Sequence, residues 1–170
     1  MSDATSDGLT DLEYRRAVSW FVTGVSVMIG LTDEGLPHGM TANAVTSVSL
    51  DPLLVLVCVH RDAGMAQVVQ QGRVFALSFL AAEQRGLAEH FASDERGLGL
   101  EEFRGIATHA GVTGAPLLDG ASAWLDCEVH DVLPGGDHLL VLGRVVHTAI
   151  AADATDALLY TPDGYATWHR

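Results

Sequence analysis

Positive charge is scarce in this chain. Nine basic residues stand against 22 acidic ones in 170, a formal net charge of -13 at pH 7. Nucleic acid and anionic membrane surfaces require basic patches, so both are excluded as partners. An anionic cofactor is not excluded, because a few backbone N–H groups can hold a phosphate against the global field. Cysteine is nearly absent as well: Cys58 and Cys127 are the only two, each in an apolar, strand-like run. Two cysteines build no disulfide framework and read as buried free thiols. No apolar run approaches the roughly 18 residues of a membrane span. The N-terminus, Met1 to Gly8, lacks the basic region and apolar core of an export signal. Cytoplasmic residence is therefore the expectation.

Missing motifs narrow the chemistry further. The seven histidines other than His138 read as forming no set with another His, Cys or carboxylate at tight ligand spacing, whereas a structural zinc site needs four such ligands. No metal is expected. There is no Gly-x-Ser-x-Gly nucleophile turn. There is no Gly-x-Gly-x-x-Gly after the first strand, and Gly97-Leu98-Gly99 echoes it only within a loop.

What is present is apolar and strand-rich. Hydrophobic residues make up 48%, which indicates a folded globule. The length suits one domain with a sizeable core. Residues 1–9 read as a disordered tail and 10–170 as that domain. Thr10-Asp11-Leu12-Glu13 has the form of a capping box and predicts a helix ending near Phe21. Strands are predicted over 24–31, 38–43, 53–60 and 74–80. Helices are predicted over 63–71, closed by Gly72, and over 83–91. Residues 93–113 carry four glycines and few apolar residues, and read as an excursion loop. Residues 124–133 and 138–150 form a hairpin turned at Pro134-Gly135-Gly136-Asp137. A shorter hairpin surrounds Asp163-Gly164. So many consecutive strands favour a mainly β (α+β) fold, its sheet closed into a barrel that removes exposed edges. An open parallel sheet would need a crossover helix between strands.

The most informative stretch runs from Pro37 to Pro52, between two apolar runs. Its small side chains allow a flat ligand to approach the backbone. Thr41, Asn43, Thr46, Ser47 and Ser49 supply hydrogen-bonding groups for a polar ring edge. Composition alone favours a polar connection between strands. The order of the residues changes that balance.

His38-Gly39-Met40-Thr41-Ala42-Asn43-Ala44, followed by Ser47-Val48-Ser49-Leu50-Asp51-Pro52-Leu53, resembles the flavin reductase family. These are the small NAD(P)H:flavin oxidoreductases of two-component flavin-dependent monooxygenases, built on the FMN-binding split barrel. Phe21 to Val25, Gly114 to Gly120, Ala123 to Cys127 and Gly136-Asp137-His138 match in the same order. The resemblance spans about Tyr14 to Tyr165. It implies a split β-barrel, flavin reductase-like, with a few short helices. It also implies a homodimeric enzyme that passes hydride from NADH, or NADPH, to FAD or FMN, with FAD slightly preferred. The reduced flavin then goes to a separate monooxygenase or halogenase.

By the same resemblance Met40, Thr41, Ala42, Asn43 and Ala44 line the isoalloxazine ring, with Ser47 and Ser49 nearby and Phe91 touching the flavin. Ala44 stands where the family often has serine, which removes a hydroxyl contact. His138 faces the nicotinamide and the ring edge, and is the single catalytic candidate. Cys58, Val59, His60, Arg61, Asp62, Gly64 and Met65 make up the cofactor region around the phosphate. Arg61 keeps a cation there. Asp62 replaces a common hydroxyl and Met65 a common threonine. A carboxylate beside a phosphate is repulsive, so either Asp62 turns away to cap the next helix or flavin is held weakly. Two other functions stay open: an enzyme that retains flavin and acts on its own substrate, and a non-catalytic flavin-binding module.

Overall fold

The structure, a computed structural model, describes residues 8–97 and 99–170. Residues 1–7 of the expected tail, and Leu98 of the partial glycine motif, lie outside the described residues. Among the described residues there are three α-helices: α1 (Asp11–Val18), α2 (Gly64–Gln71) and α3 (Arg85–Ala92). The strands are β1 (Thr23–Gly24), β2 (Ser26–Leu31), β3 (Pro37–Ala42), β4 (Val45–Leu50), β5 (Leu53–His60), β6 (Val74–Phe79), β7 (Thr108–Ala110), β8 (Pro116–Leu118), β9 (Ala123–Gly135), β10 (His138–Ile150), β11 (Asp156–Thr161) and β12 (Gly164–His169).

The predicted capping box starts α1. Thr10 N–H donates to Glu13 Oε2 at 2.9 Å, and Glu13 N–H donates to Thr10 Oγ1 at 3.3 Å. The helix stops at Val18, short of the predicted end near Phe21. Phe21 N–H folds back onto Val18 O in a turn, and the β-branched Val22 and Thr23 lead into β1. The strand expected over 24–31 is two strands. At Val25 the chain changes sheets: its N–H bonds Leu158 O, while its carbonyl accepts from Leu80 N–H. Thus β1 joins a three-stranded sheet with β11 and β12, and β2 enters a seven-stranded one.

The large sheet has the order β3-β2-β6-β9-β10-β5-β4, antiparallel throughout. Its two edge strands are joined by Asn43 and Ala44 alone. Two residues span roughly 7 Å, so the sheet must curl until its edges meet. Cys58 N–H donates to Ala44 O at 3.0 Å along that seam. Away from the seam β3 pairs only with β2, and β4 only with β5, which leaves the barrel split. Residues 45–50, given no element from the sequence, are therefore an edge strand.

Alternation along β5 fills the barrel. Val55, Val57 and Val59 point inward, while Leu54, Leu56 and Cys58 are half-buried on the outer face. Helix α2 stoppers one end with Met65, Ala66, Val68 and Val69 against that interior. Outside, α3 covers β2 through Ala88 and Phe91, which pack with Val27, Ile29 and Leu118. Strand β2 is buried on both faces, which accounts for its unbroken apolar run. The expected excursion loop over 93–113 is partly ordered: it holds a 3-10 turn at Gly99–Phe103 and strand β7. Within that turn Glu102 is fully buried.

On β10, the packing leaves no room for a side chain at Gly143. A Cβ there would lie 2.3 Å from Phe75 Cζ and 3.2 Å from Cys127 Cβ. Gly143→Ala is expected to lower stability by about 1–3 kcal/mol through overpacking. Urea unfolding would show a lower midpoint at unchanged slope. An unchanged midpoint would mean that the Phe75 ring yields freely.

Candidate active site

The register of two strands brings the histidines together. On β10, His138 lies directly opposite His60 on β5, Leu140 opposite Cys58, and Leu142 opposite Leu56. The imidazoles of His60 and His138 meet edge to face, their centroids 5.1 Å apart. The β9–β10 turn consists of Gly136 and Asp137. Gly136 has a φ of +71° and, among the described residues, no non-glycine residue has a positive φ, as a type II′ turn requires. His138 Nδ1 lies 2.7 Å from Asp137 Oδ1. A carboxylate only accepts, so Nδ1 carries the proton and Nε2 faces outward. That hydrogen bond, with the nearby imidazole charges, holds the Asp137 carboxyl below the usual aspartate range. His60 has the opposite arrangement: its Nδ1 accepts from Asp62 N–H at 3.2 Å, which leaves the proton on Nε2.

Immediately after His60 the chain turns into α2. The N-cap of this helix is Ala63, and no side chain caps it. Asp62 therefore does not cap α2, contrary to one expectation. Its side chain is exposed, one residue too early for the N-cap, and its backbone N–H is committed to His60. Arg61 donates from Nη2 to Gly136 O, and its N–H bonds Asp137 O at 2.9 Å. The guanidinium thus bridges the start of α2 and the β9–β10 turn.

Along the same outer face of β5, about 7 Å per two residues, lies a groove of about 580 Å³. That size falls within the roughly 300–1,000 Å³ of small-molecule sites. One wall is α1, with Tyr14, Arg15 and Val18; the other includes Asn43, Ala44, Thr46 and Cys58. Thr23 Oγ1, in the same lining, is buried without a hydrogen-bond partner. Such a group costs free energy unless a ligand or water completes it. Sequence reasoning missed Thr23 as a site residue, although its Thr-Gly pair belongs to one of the matching pieces.

The expected residues divide between this surface and the core. Asn43, Ala44, Cys58, His60, Arg61, Asp62, Gly64 and His138 lie on or beside it. Ser47 and Ser49 line a different groove of about 400 Å³, with Leu54, Phe79, Leu125 and Val145. The Thr41 hydroxyl donates to Ala88 O of α3 at 2.7 Å, so it is already engaged. Met40 packs against the barrel core, and Ala42, Val59 and Met65 belong to it. Phe91 is buried against Phe103 under α3. The period of two along β3 and β5 turns Met40, Ala42 and Val59 inward, away from any ligand on the outer face, while Met65 and Phe91 are buried by α2 and α3. Met65 therefore leaves a bare helix start rather than a thioether where a hydroxyl was expected.

A second polar cluster lies next to α2. His38 Nδ1 is 3.1 Å from Glu102 Oε2, and Arg96 Nε donates to Glu102 Oε1 at 2.6 Å. Gly39 N–H donates to the same Oε1 at 3.2 Å, and Arg96 Nη2 donates to Gly39 O at 3.1 Å. Burial pushes the Glu102 carboxyl upward. The hydrogen bonds and charges of His38 and Arg96 outweigh that and hold it below the usual glutamate range. Nothing in Glu101-Glu102-Phe103 distinguishes Glu102 from a solvated carboxylate, so sequence reasoning missed it.

The thiols are inert. Both cysteines are free. Burial, with the charge of Asp126 beside it, pushes Cys127 up to about 12, and burial raises Cys58 as well. Among the described residues no group of three His, Cys, Asp or Glu side chains is placed to hold a metal.

Comparison with known proteins places the chain among its relatives. The family described as flavin reductase like domain matches residues 18–169. The NADH-dependent FAD reductase of Streptomyces globisporus is 42% identical over 151 residues, 88% of this chain and 81% of that protein. The flavin reductase (NADPH) of Lentzea aerocolonigenes is 36% identical over 94% of this chain and 91% of its own. Among solved structures, BorF is the flavin reductase component of a bacterial two-component tryptophan halogenase. It superposes with a TM-score of 0.87 at 37% identity, covering 94% of this chain and 98% of its own. The Streptomyces globisporus C-1027 NADH:FAD oxidoreductase SgcE6, solved with NAD and FAD fragments, gives 0.83 at 35% identity, covering 98% and 94%. Three other relatives are longer, and the chain spans 47%, 63% and 42% of their lengths.

Proposed function

The chain belongs to the flavin reductase family, and on that premise we propose which of its residues carry the activity. The enzyme is an NAD(P)H-dependent flavin reductase that uses FAD or FMN. Bound flavin supplies the N5 acceptor for hydride from C4 of the reduced nicotinamide. The residues fit that group: a groove of suitable size, an orphan hydroxyl at Thr23 and an uncapped helix start lie along one face. The observation that carries the assignment is the His60–His138 pair, held by strand register between the uncapped helix and the Asn43–Ala44 groove.

Asn43 and Ala44 present small side chains and backbone groups to the ring edge. The first-turn N–H groups of α2, with Arg61, hold the phosphate end. His138 offers Nε2 to the nicotinamide carboxamide, and its cationic form balances charge on the reduced product. The protein supplies proximity and orientation, and no side chain is required as an obligatory acid or base. Asp62, exposed and not engaged as a cap, weakens the hold on a phosphate. That suits an enzyme that releases its product to a separate monooxygenase component. Residues 10–170 act as one unit. Among the described residues no helix is long and apolar enough to cross a membrane.

The active form is a homodimer. Helix α1 has no buried residue, and the segment after it exposes Trp20 at 79% and Phe21 at 77%. Tyr14 and Val18, one turn apart on α1, add to the exposed apolar surface, of the kind that marks an interface. Sedimentation at micromolar concentration is expected to give twice the chain mass, and a single-chain mass would remove this reading.

The activity is tested by NADH oxidation at 340 nm with added FAD, FMN or riboflavin. Turnover should rise and saturate with flavin. Absence of turnover with every flavin, from folded protein, would instead favour a binding module. His138→Ala should raise the KM for nicotinamide or lower turnover about tenfold or more, with the circular dichroism spectrum unchanged. Wild-type kinetics in that variant would take His138 out of the site.

A further inference from the structure

We propose that Glu102 is a positioning residue for flavin binding, and that it holds His38 as a phosphate contact at the start of α2. This rests on the reading of that helix start as the phosphate site. A fully buried carboxylate is costly to desolvate unless it is paired. Glu102 is paired on both oxygens. Part of the arrangement is explained by the sheet edge: Arg96 and Glu102 together complete the backbone N–H and carbonyl of Gly39 on the edge strand β3. That account does not require an imidazole at 38.

The other side of the imidazole explains it. A Cβ built on Gly64 would lie 2.8 Å from His38 Nε2. Gly64 is exposed and is the first residue of α2, whose N-cap makes no side-chain bond. Any larger residue at 64 would strike the ring, so the ring and the bare helix start are fitted to each other. The carboxylate of Glu102 accepts only, so the proton on Nδ1 is committed to it. The cationic form then places a second N–H at Nε2, beside the first-turn N–H groups. Glu102, Arg96 and the His90 ring, which bonds the Glu102 carbonyl at 2.8 Å, are the titratable groups facing this cluster from the 93–103 segment and α3. Just before α2 the chain carries three further titratable or charged residues, His60, Arg61 and Asp62.

The probes are FMN against riboflavin, which lacks the phosphate, and FAD, whose pyrophosphate does not titrate near neutrality. Dissociation constants are read from flavin fluorescence quenching. His38→Asn keeps an amide donor within reach of Glu102 and removes Nε2. It should weaken FMN roughly tenfold or more and leave riboflavin within about twofold. FAD should weaken along with FMN in His38→Asn, and Glu102→Gln should weaken FMN more than riboflavin. Equal losses for FMN and riboflavin, or no loss for either, would overturn the proposal. If Glu102→Gln does not fold, His38→Asn still decides. A wild type that binds neither FMN nor riboflavin would instead remove the flavin-site reading on which this one stands.

Discussion

Asn43 and Ala44 tie the two edges of a seven-stranded sheet across a gap that only two residues can fill. Everything around the active site follows from that short span. The sheet must curl, so β3 and β4 meet at one end, and the barrel interior is set by the alternation of β5 and β6. One open end then needs a stopper, and α2 supplies it with four buried side chains. Because α2 leaves β5 directly after His60, its start is fixed beside the β9–β10 turn. The seam is also backbone-to-backbone, through Ala44 O and Cys58 N–H. The small residues at 43 and 44 therefore serve closure and ligand approach together.

Electrostatics in this acidic chain are local. Its nine cationic side chains are all arginines. Arg85, Arg96, Arg104 and Arg144 pair with glutamates. Arg61 instead binds a backbone carbonyl of the hairpin turn, so its charge is not neutralised by a carboxylate. Such a cation beside a helix start can hold an anion that the overall field would repel. In the proposed site, Asp62 next to it would limit that hold.

The sequence made the architecture legible and the side-chain directions only partly so. Strand 53–60, the long hairpin and the capping box at Thr10 were readable because periodicity and local hydrogen bonding are properties of adjacent residues. The division of the first strand at Val25 was not, because that residue bonds partners at 80 and 158. Phe91, Val59 and Met65 were expected near the ligand through resemblance, and they lie in the cores. Their orientation depends on which face of each element meets the barrel, and resemblance by position carries no face. The Glu102 cluster was illegible for a similar reason: its partners at 38, 39 and 96 converge only when the 93–103 segment lies along the edge of β3.

Composition and order determined that this chain is β-rich, acidic, without a metal-ligand pattern, with His138 just after a glycine turn, and resemblance in the order of its motifs marked it as a flavin reductase. Those features depend on residue type and short spacing, which a linear chain displays. The tertiary structure decided that His138 faces His60, that α2 begins uncapped, that the Thr41 hydroxyl is engaged by α3, and that a buried glutamate backs His38. Each of these depends on which distant segments share a surface. Strand register and barrel closure set that, and neither is written in the spacing of neighbouring residues.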